Sequence, residues 1–152
     1  MVKIRPLHFV DIIGRIGNDV TSFEPSSNGN NFHHVGNQIL NDKDILLEIT
    51  LAPDDVCAPC EHNLSSGCDA TIDRSFRPTA SPLMRDWDLL INQRWCERLN
   101  IKEGDRFTAK ELCLLLKDHC DDMSEIYREI TDNRVEKKEA MVKKGIIKYL
   151  KQ

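Results

Sequence analysis

Apolar and charged residues alternate at the start of the chain, Val2-Lys3-Ile4-Arg5, which is the period of a short strand. Pro6 to about Gly14 then reads as a short helix with proline at its first position, where a missing N–H costs nothing. The segment 23-FEPSSNGNNF-32 is a loop by composition. A second short helix over 33–40 carries Val35, Ile39 and Leu40. Asp44 to Leu51 gives the clearest strand: Ile45, Leu47, Ile49 and Leu51 share one side, Glu48 and Thr50 the other. It could pair with residues 2–5. Residues 61–80 are rich in Ser, Asn, Asp and Pro and look irregular. Ser81-Pro82 opens a helix, Ser as N-cap and Pro next, whose stripe is Leu83, Trp87, Leu90, Ile91 and Trp95, ending near Leu99. Thr108 and Glu111 have the spacing of a capping box, starting a helix with Leu112, Leu115, Leu116 and His119. A last helical region covers roughly 123–150, with a break near Asp132-Asn133. These elements predict a mostly α (α+β) fold: one compact helical domain over 1–152 with a small two-stranded β element and a cysteine-rich loop.

Composition narrows the class. A chain of 152 residues is long enough to bury a sizeable core without disulfides. No apolar run approaches the ~20 residues of a membrane span. The N-terminal apolar stretch is interrupted by Arg5, His8 and Asp11, unlike a secretory leader, so a cytoplasmic protein with reduced thiols is expected. The net charge of −4 conceals an asymmetry, because residues 134–152 hold seven Lys/Arg against two acids. An acidic body of this kind is not expected to bind nucleic acid. The basic segment reads first as a C-terminal helix that packs Val135, Val142, Ile146 and Tyr149 on the core and leaves its lysines in water. The alternative is a tail that docks a partner, RNA or an anionic surface. Gly145 weakens that helix by roughly 1 kcal/mol and leaves room for a break.

The candidate chemistry lies in 54-DDVCAPCEHNLSSGC-68, which places Cys57, Cys60 and Cys68 within fifteen residues. A C-x-x-C turn brings two sulfurs to one side of a tight loop, as zinc sites and iron–sulfur clusters both require. Asp54, Asp55, Glu61, Asp69 and Asp73 surround the loop without a single Lys or Arg between residues 53 and 73. Such surroundings disfavour a bare, reactive thiolate and favour a bound cation. A thiol-redox pair of Cys57 and Cys60 is therefore the weaker reading. Three cysteines leave a fourth ligand open. Cys120, beside His119 at a helix end, is one candidate and His62 another. Cys113 is seven residues from Cys120, roughly 10 Å along a helix, and reads as core. Cys96 lies off the apolar stripe of its helix. No glycine-rich phosphate loop and no nucleophile elbow is present.

In this order, IRPLHFVDIIGRIG, a strand leading into 53-PDDVCAPC-60, Cys68 and 101-IKEGDRFTAKEL-112 resemble a prokaryotic family, the domain of unknown function 1284. Its members carry the description iron–sulfur binding without an assigned activity. The resemblance covers about residues 3–130 and is most specific at the PDD-x-C-x-x-C element. Of the family's N-terminal R-x-H-H-L-L-C, Arg5 and His8 match, whereas Leu7 and Asp11 stand at the first His and the Cys. The family's second C-x-x-C corresponds here to 125-EIYREI-130, without cysteine. The resemblance implies an iron–sulfur cluster on Cys57, Cys60 and Cys68, with Cys120, His62 or Asp11 completing the set. Acidic neighbours would lower its reduction potential. A protein or redox partner is then expected. The alternative is a helical interaction module whose cysteine loop is a structural zinc site or a degenerate metal site.

Overall fold

The computed structural model describes all residues 1–152. Strand β1 (Val2–Ile4) leads into helix α1 (Pro6–Gly17), and α2 (Phe32–Asn41) returns the chain to β2 (Leu46–Ile49). β1 and β2 pair in parallel, Val2 opposite Leu47 and Ile4 opposite Ile49. A parallel pair needs a long connection, here the two helices. A cysteine-bearing hairpin follows, β3 (Asn63–Leu64) with β4 (Gly67–Cys68). Helix α3 (Met84–Leu99), strand β5 (Arg106–Thr108), helix α4 (Ala109–His119), a 3₁₀ turn at Met123–Glu125 and helix α5 (Arg134–Lys151) complete the chain.

The fold is mostly α with a small β element, and the β part is larger than the hydrophobic pattern indicated. β5 adds antiparallel to the free edge of β2, with Leu47 opposite Phe107, giving the order β1–β2–β5. Its three residues are too few to show an alternation, and they merge into the capping box that follows. That box forms: Thr108 Oγ1 accepts from Glu111 N at 3.1 Å, and Glu111 Oε2 from Thr108 N at 2.8 Å. Helix α3 starts later than Ser81-Pro82 suggests, because Leu83 is drawn into a bridge with Thr71. Ser81 is not the N-cap: Leu83 holds that place without a side-chain cap, and the Ser81 Oγ accepts from Leu83 N at 3.3 Å before the helix begins.

One continuous core draws on all five helices and on β1 and β2. Ile4, Leu47 and Ile49 project from the sheet into it, and Trp95 of α3 is fully enclosed. The basic segment is a core helix. Val135, Val142, Ile146 and Tyr149 are buried as their spacing predicts. Gly145 makes no break; α5 runs through it unbroken because α1 needs the space. A Cβ on Gly145 would sit 1.8 Å from Ile13 O, and one on Gly17 would sit 1.9 Å from Met141 O. The two glycines let the backbones touch, and α1 extends to Gly17, beyond the Gly14 expected. An Asp11–Lys138 ion pair ties the same two helices together. No helix is long and apolar enough to cross a membrane.

Candidate metal centre

Parallel pairing has a topological consequence. The chain leaving β1 and the chain leaving β2 emerge at the same end of the sheet, so Arg5 and His8 meet the segment 54–57. Asp54 joins them. Its Oδ2 accepts from Arg5 N at 2.7 Å and lies 2.7 Å from His8 Nδ1; its Oδ1 accepts from Val56 N at 3.1 Å and Cys57 N at 3.2 Å. Its main-chain oxygen accepts from Cys57 N and Ala58 N, both at 3.0 Å, winding residues 54–58 into a turn. Burial pushes the Asp54 carboxyl upward, but the hydrogen bond and charge of His8, with Arg5 behind them, outweigh it and hold the group below its ordinary value. Asp55 fastens the same strand end, its Oδ2 accepting from Lys3 N at 2.8 Å. Two of the five acids expected to favour a cation thus anchor the loop to β1 and α1.

Cys57 hangs from this anchor. Arg5 Nη2 lies 3.0 Å from its Sγ and 3.3 Å from Asp88 Oδ2. Burial pushes the Cys57 thiol up to about 12, the Arg5 cation pulling the other way. Burial likewise raises the Asp88 carboxyl, despite Arg5. Cys60 follows one turn on, its N–H donating to Cys57 O at 2.9 Å, and Asn63 N donates to Cys60 O at 3.0 Å. The hairpin then brings Cys68 back opposite Asn63. Gly67 makes that return at φ +105°, a conformation a side chain would strain. His62 Nδ1 rests 2.8 Å from Asp69 Oδ1. A carboxylate behind one ring nitrogen is the arrangement that orients a ligating histidine, and His8 with Asp54 has it too.

Cys57, Cys60 and Cys68 line a single cavity of about 390 Å³, together with His8, His62 and Asp11. Ligand atoms of His8, Asp54 and Cys57 all lie within 4.8 Å of one another, close enough to hold a metal ion. Asp54 already accepts from three backbone amides and contacts the His8 ring, so the donors free for an ion are Cys57 Sγ and the second nitrogen of His8. Of the candidates for a fourth ligand, His62 and Asp11 reach the cavity, although Asp11 is paired with Lys138. Cys120 does not line it. That residue is buried at the end of α4, its Sγ 3.7 Å from Lys117 O. Cys113 is core as expected, and Cys96 is buried as well.

The residue that sequence reasoning passed over as a ligand is His8. The signal was available: a parallel register between residues 2–5 and 45–51 puts the start of the first helix beside the cysteine loop. Asp54, His8 and Cys57 also have the contact order of a nucleophile triad. Burial works against that use, since it holds the sulfur protonated whereas a nucleophile needs its thiolate. Metal coordination removes the proton outright. No protein-family model, no curated protein and no solved structure matches this chain.

Proposed function

We propose that this protein binds an iron–sulfur cluster through Cys57, Cys60 and Cys68, with His8 beside the position left without a cysteine. The convergence of the three cysteines on one cavity carries the reading. The donor set fits such a group: three soft thiols, and an imidazole held by a carboxylate. A single zinc ion at Zn–S distances near 2.3 Å would need its donors bunched within about 4 Å of each other. The group that comes nearest to this is His8, Asp54 and Cys57, within 4.8 Å of one another and with only one thiol in it. Three thiols lining one cavity suit a multinuclear group, and the resemblance to the family described as iron–sulfur binding points the same way. A bound cluster supplies one-electron chemistry or an iron open to a ligand. The chain's own residues fix the loop through Asp54, place Arg5 against the Cys57 sulfur and line the site with the apolar Trp87 and Val56.

The test is metal and acid-labile sulfide content, with a visible spectrum, after strictly anaerobic purification. Iron and sulfide in comparable amounts are expected in wild type and in Cys120→Ser, and are lost in Cys60→Ser. Stoichiometric zinc without colour would overturn the cluster; no metal in any form would overturn metal binding altogether.

A further inference from the structure

The cavity holds more than thiols. Arg5, Arg77, Arg134 and Lys138 line it, against the two acids Asp11 and Asp88. A net positive cavity in a chain of net charge −4 is a local reversal of sign. Lys138 is neutralised by Asp11, and Arg5 is shared between Cys57 and Asp88. Arg77 is different. Its Nε donates to Asp73 O at 2.8 Å, and its guanidinium lies 4.7 Å from the ring centres of both Phe76 and Trp87, but it forms no ion pair. Arg134 lies 3.7 Å from the centre of the same Phe76 ring; its Nε donates to Asp132 Oδ2 at 2.9 Å, which makes it the lesser partner of Arg77. Burial, followed by the Arg134 cation, pulls Arg77 below the ordinary arginine value, with Asp73 and Asp88 opposing. The inner end of the lining carries a second unmet demand, since the Nε of Arg5, itself 5% exposed, is buried without any hydrogen-bond partner. From exposed Arg134 through half-buried Arg77 to buried Arg5, cationic groups run from rim to interior. Between them the wall is apolar: Trp87, Met84, Ile130 and Leu7.

We infer that this cavity is the binding site for a small organic anion, a carboxylate or phosphate ester with a flat apolar body, its charged end gripped by Arg77 with Arg134 and its body laid along Trp87. The geometry suits the class. A volume of about 390 Å³ accommodates a small ligand. Guanidinium groups bind carboxylate and phosphate by paired N–H donors, and stacking on Phe76 and Trp87 fixes Arg77 in place while leaving its Nη donors free of any carboxylate. The site shares its cavity and Arg5 with the proposed cluster, but its grip stands on Arg77 and Arg134, so neither reading requires the other.

The test uses the full chain, metal-free and as isolated anaerobically, titrated with benzoate, phenyl phosphate and neutral benzamide by calorimetry and ligand-observed NMR. At least one of the two anions should bind at millimolar concentration or below, and benzamide about tenfold more weakly or not at all. Whichever anion binds tighter assigns carboxylate or phosphate. Arg77→Gln should weaken the anion about tenfold, and Arg134→Gln should weaken it to a smaller extent. Arg106→Gln, on β5 and paired with Glu48, should leave it unchanged. Circular dichroism on each variant separates lost binding from lost folding. Equal binding of benzamide and benzoate, indifference to both Arg77 and Arg134, or no anion bound at millimolar concentration would each overturn the inference. Anion binding retained in Cys60→Ser would separate it from the metal; a metal-loaded protein that binds no anion would sink this proposal alone.

Discussion

The α1–α5 contact and the cysteine cavity are built on opposite rules. Where α1 meets α5, backbone touches backbone at Gly17 and Gly145, and Asp11 is matched to Lys138. Little there is left wanting a partner. Around the cavity, three thiols are free, Arg5 Nε is orphaned and Arg77 has no counter-ion. Buried polar groups are nearly always satisfied, so the orphaned Arg5 Nε is an exception, one of three in the chain with His33 Nδ1 and Asn92 Nδ2. The contrast separates a contact closed by backbone and an ion pair from a cavity whose thiols and Arg77 remain part-exposed.

The largest effect is expected on the saturated side. Gly145→Ala would place a methyl 1.8 Å from Ile13 O, a clash with backbone that no rotamer relieves. The two helices must separate, opening the core around Val142 and Ile146. Overpacking typically costs 1–3 kcal/mol, and backbone opposing backbone should exceed that, so a loss of about 3 kcal/mol or more is expected in urea unfolding. A loss below about 1 kcal/mol would mean that the helices do not cross this closely and would blunt the contrast.

Next comes the joint between the two regions. Asp54→Asn keeps size but replaces one acceptor oxygen by an amide donor. The Oδ2 position faces Arg5 N and the His8 ring, and Oδ1 faces Val56 N and Cys57 N, so at least one amide would be left opposing a donor. With the carboxylate buried, about 2–4 kcal/mol should be lost. Metal content should fall as well, because the same carboxylate accepts from Val56 N and Cys57 N and so steadies the turn that presents Cys57. A variant that unfolds at wild-type urea but holds no metal would assign Asp54 to the site alone.

Much of this division was legible in the sequence, for identifiable reasons. The buried face of α5 followed from the spacing of Val135, Val142, Ile146 and Tyr149, and the capping box from Thr108 and Glu111. Both depend on neighbours within one element. Cys57, Cys60 and Cys68 share a cavity because a C-x-x-C turn and a tight hairpin are also local. Contacts made across the fold were harder to read. Gly145 looked like a weak point because its partner, Ile13 O, lies more than a hundred positions away. Cys120 looked available beside His119, yet the helix end turns it inward. The place of His8 beside the cysteine loop follows only from the parallel register, and Arg77 drew no notice because nothing local marks a guanidinium that will stack on Trp87.

The smallest effect sharpens the comparison by using the same chemistry in a different setting. Thr108, like Asp54, is an oxygen that caps orphan amides, but the Glu111 side of its box is open to water. Thr108→Ala removes the acceptor for Glu111 N, and water can replace it. The loss should be about 1 kcal/mol, the ordinary worth of an N-cap, with metal content and anion binding unchanged because α4 lies away from the cavity. The ratio of the Asp54 loss to the Thr108 loss then measures what burial adds to a cap. Equal losses would mean that water reaches Asp54, and the cysteine loop would be held less firmly than its hydrogen bonds imply.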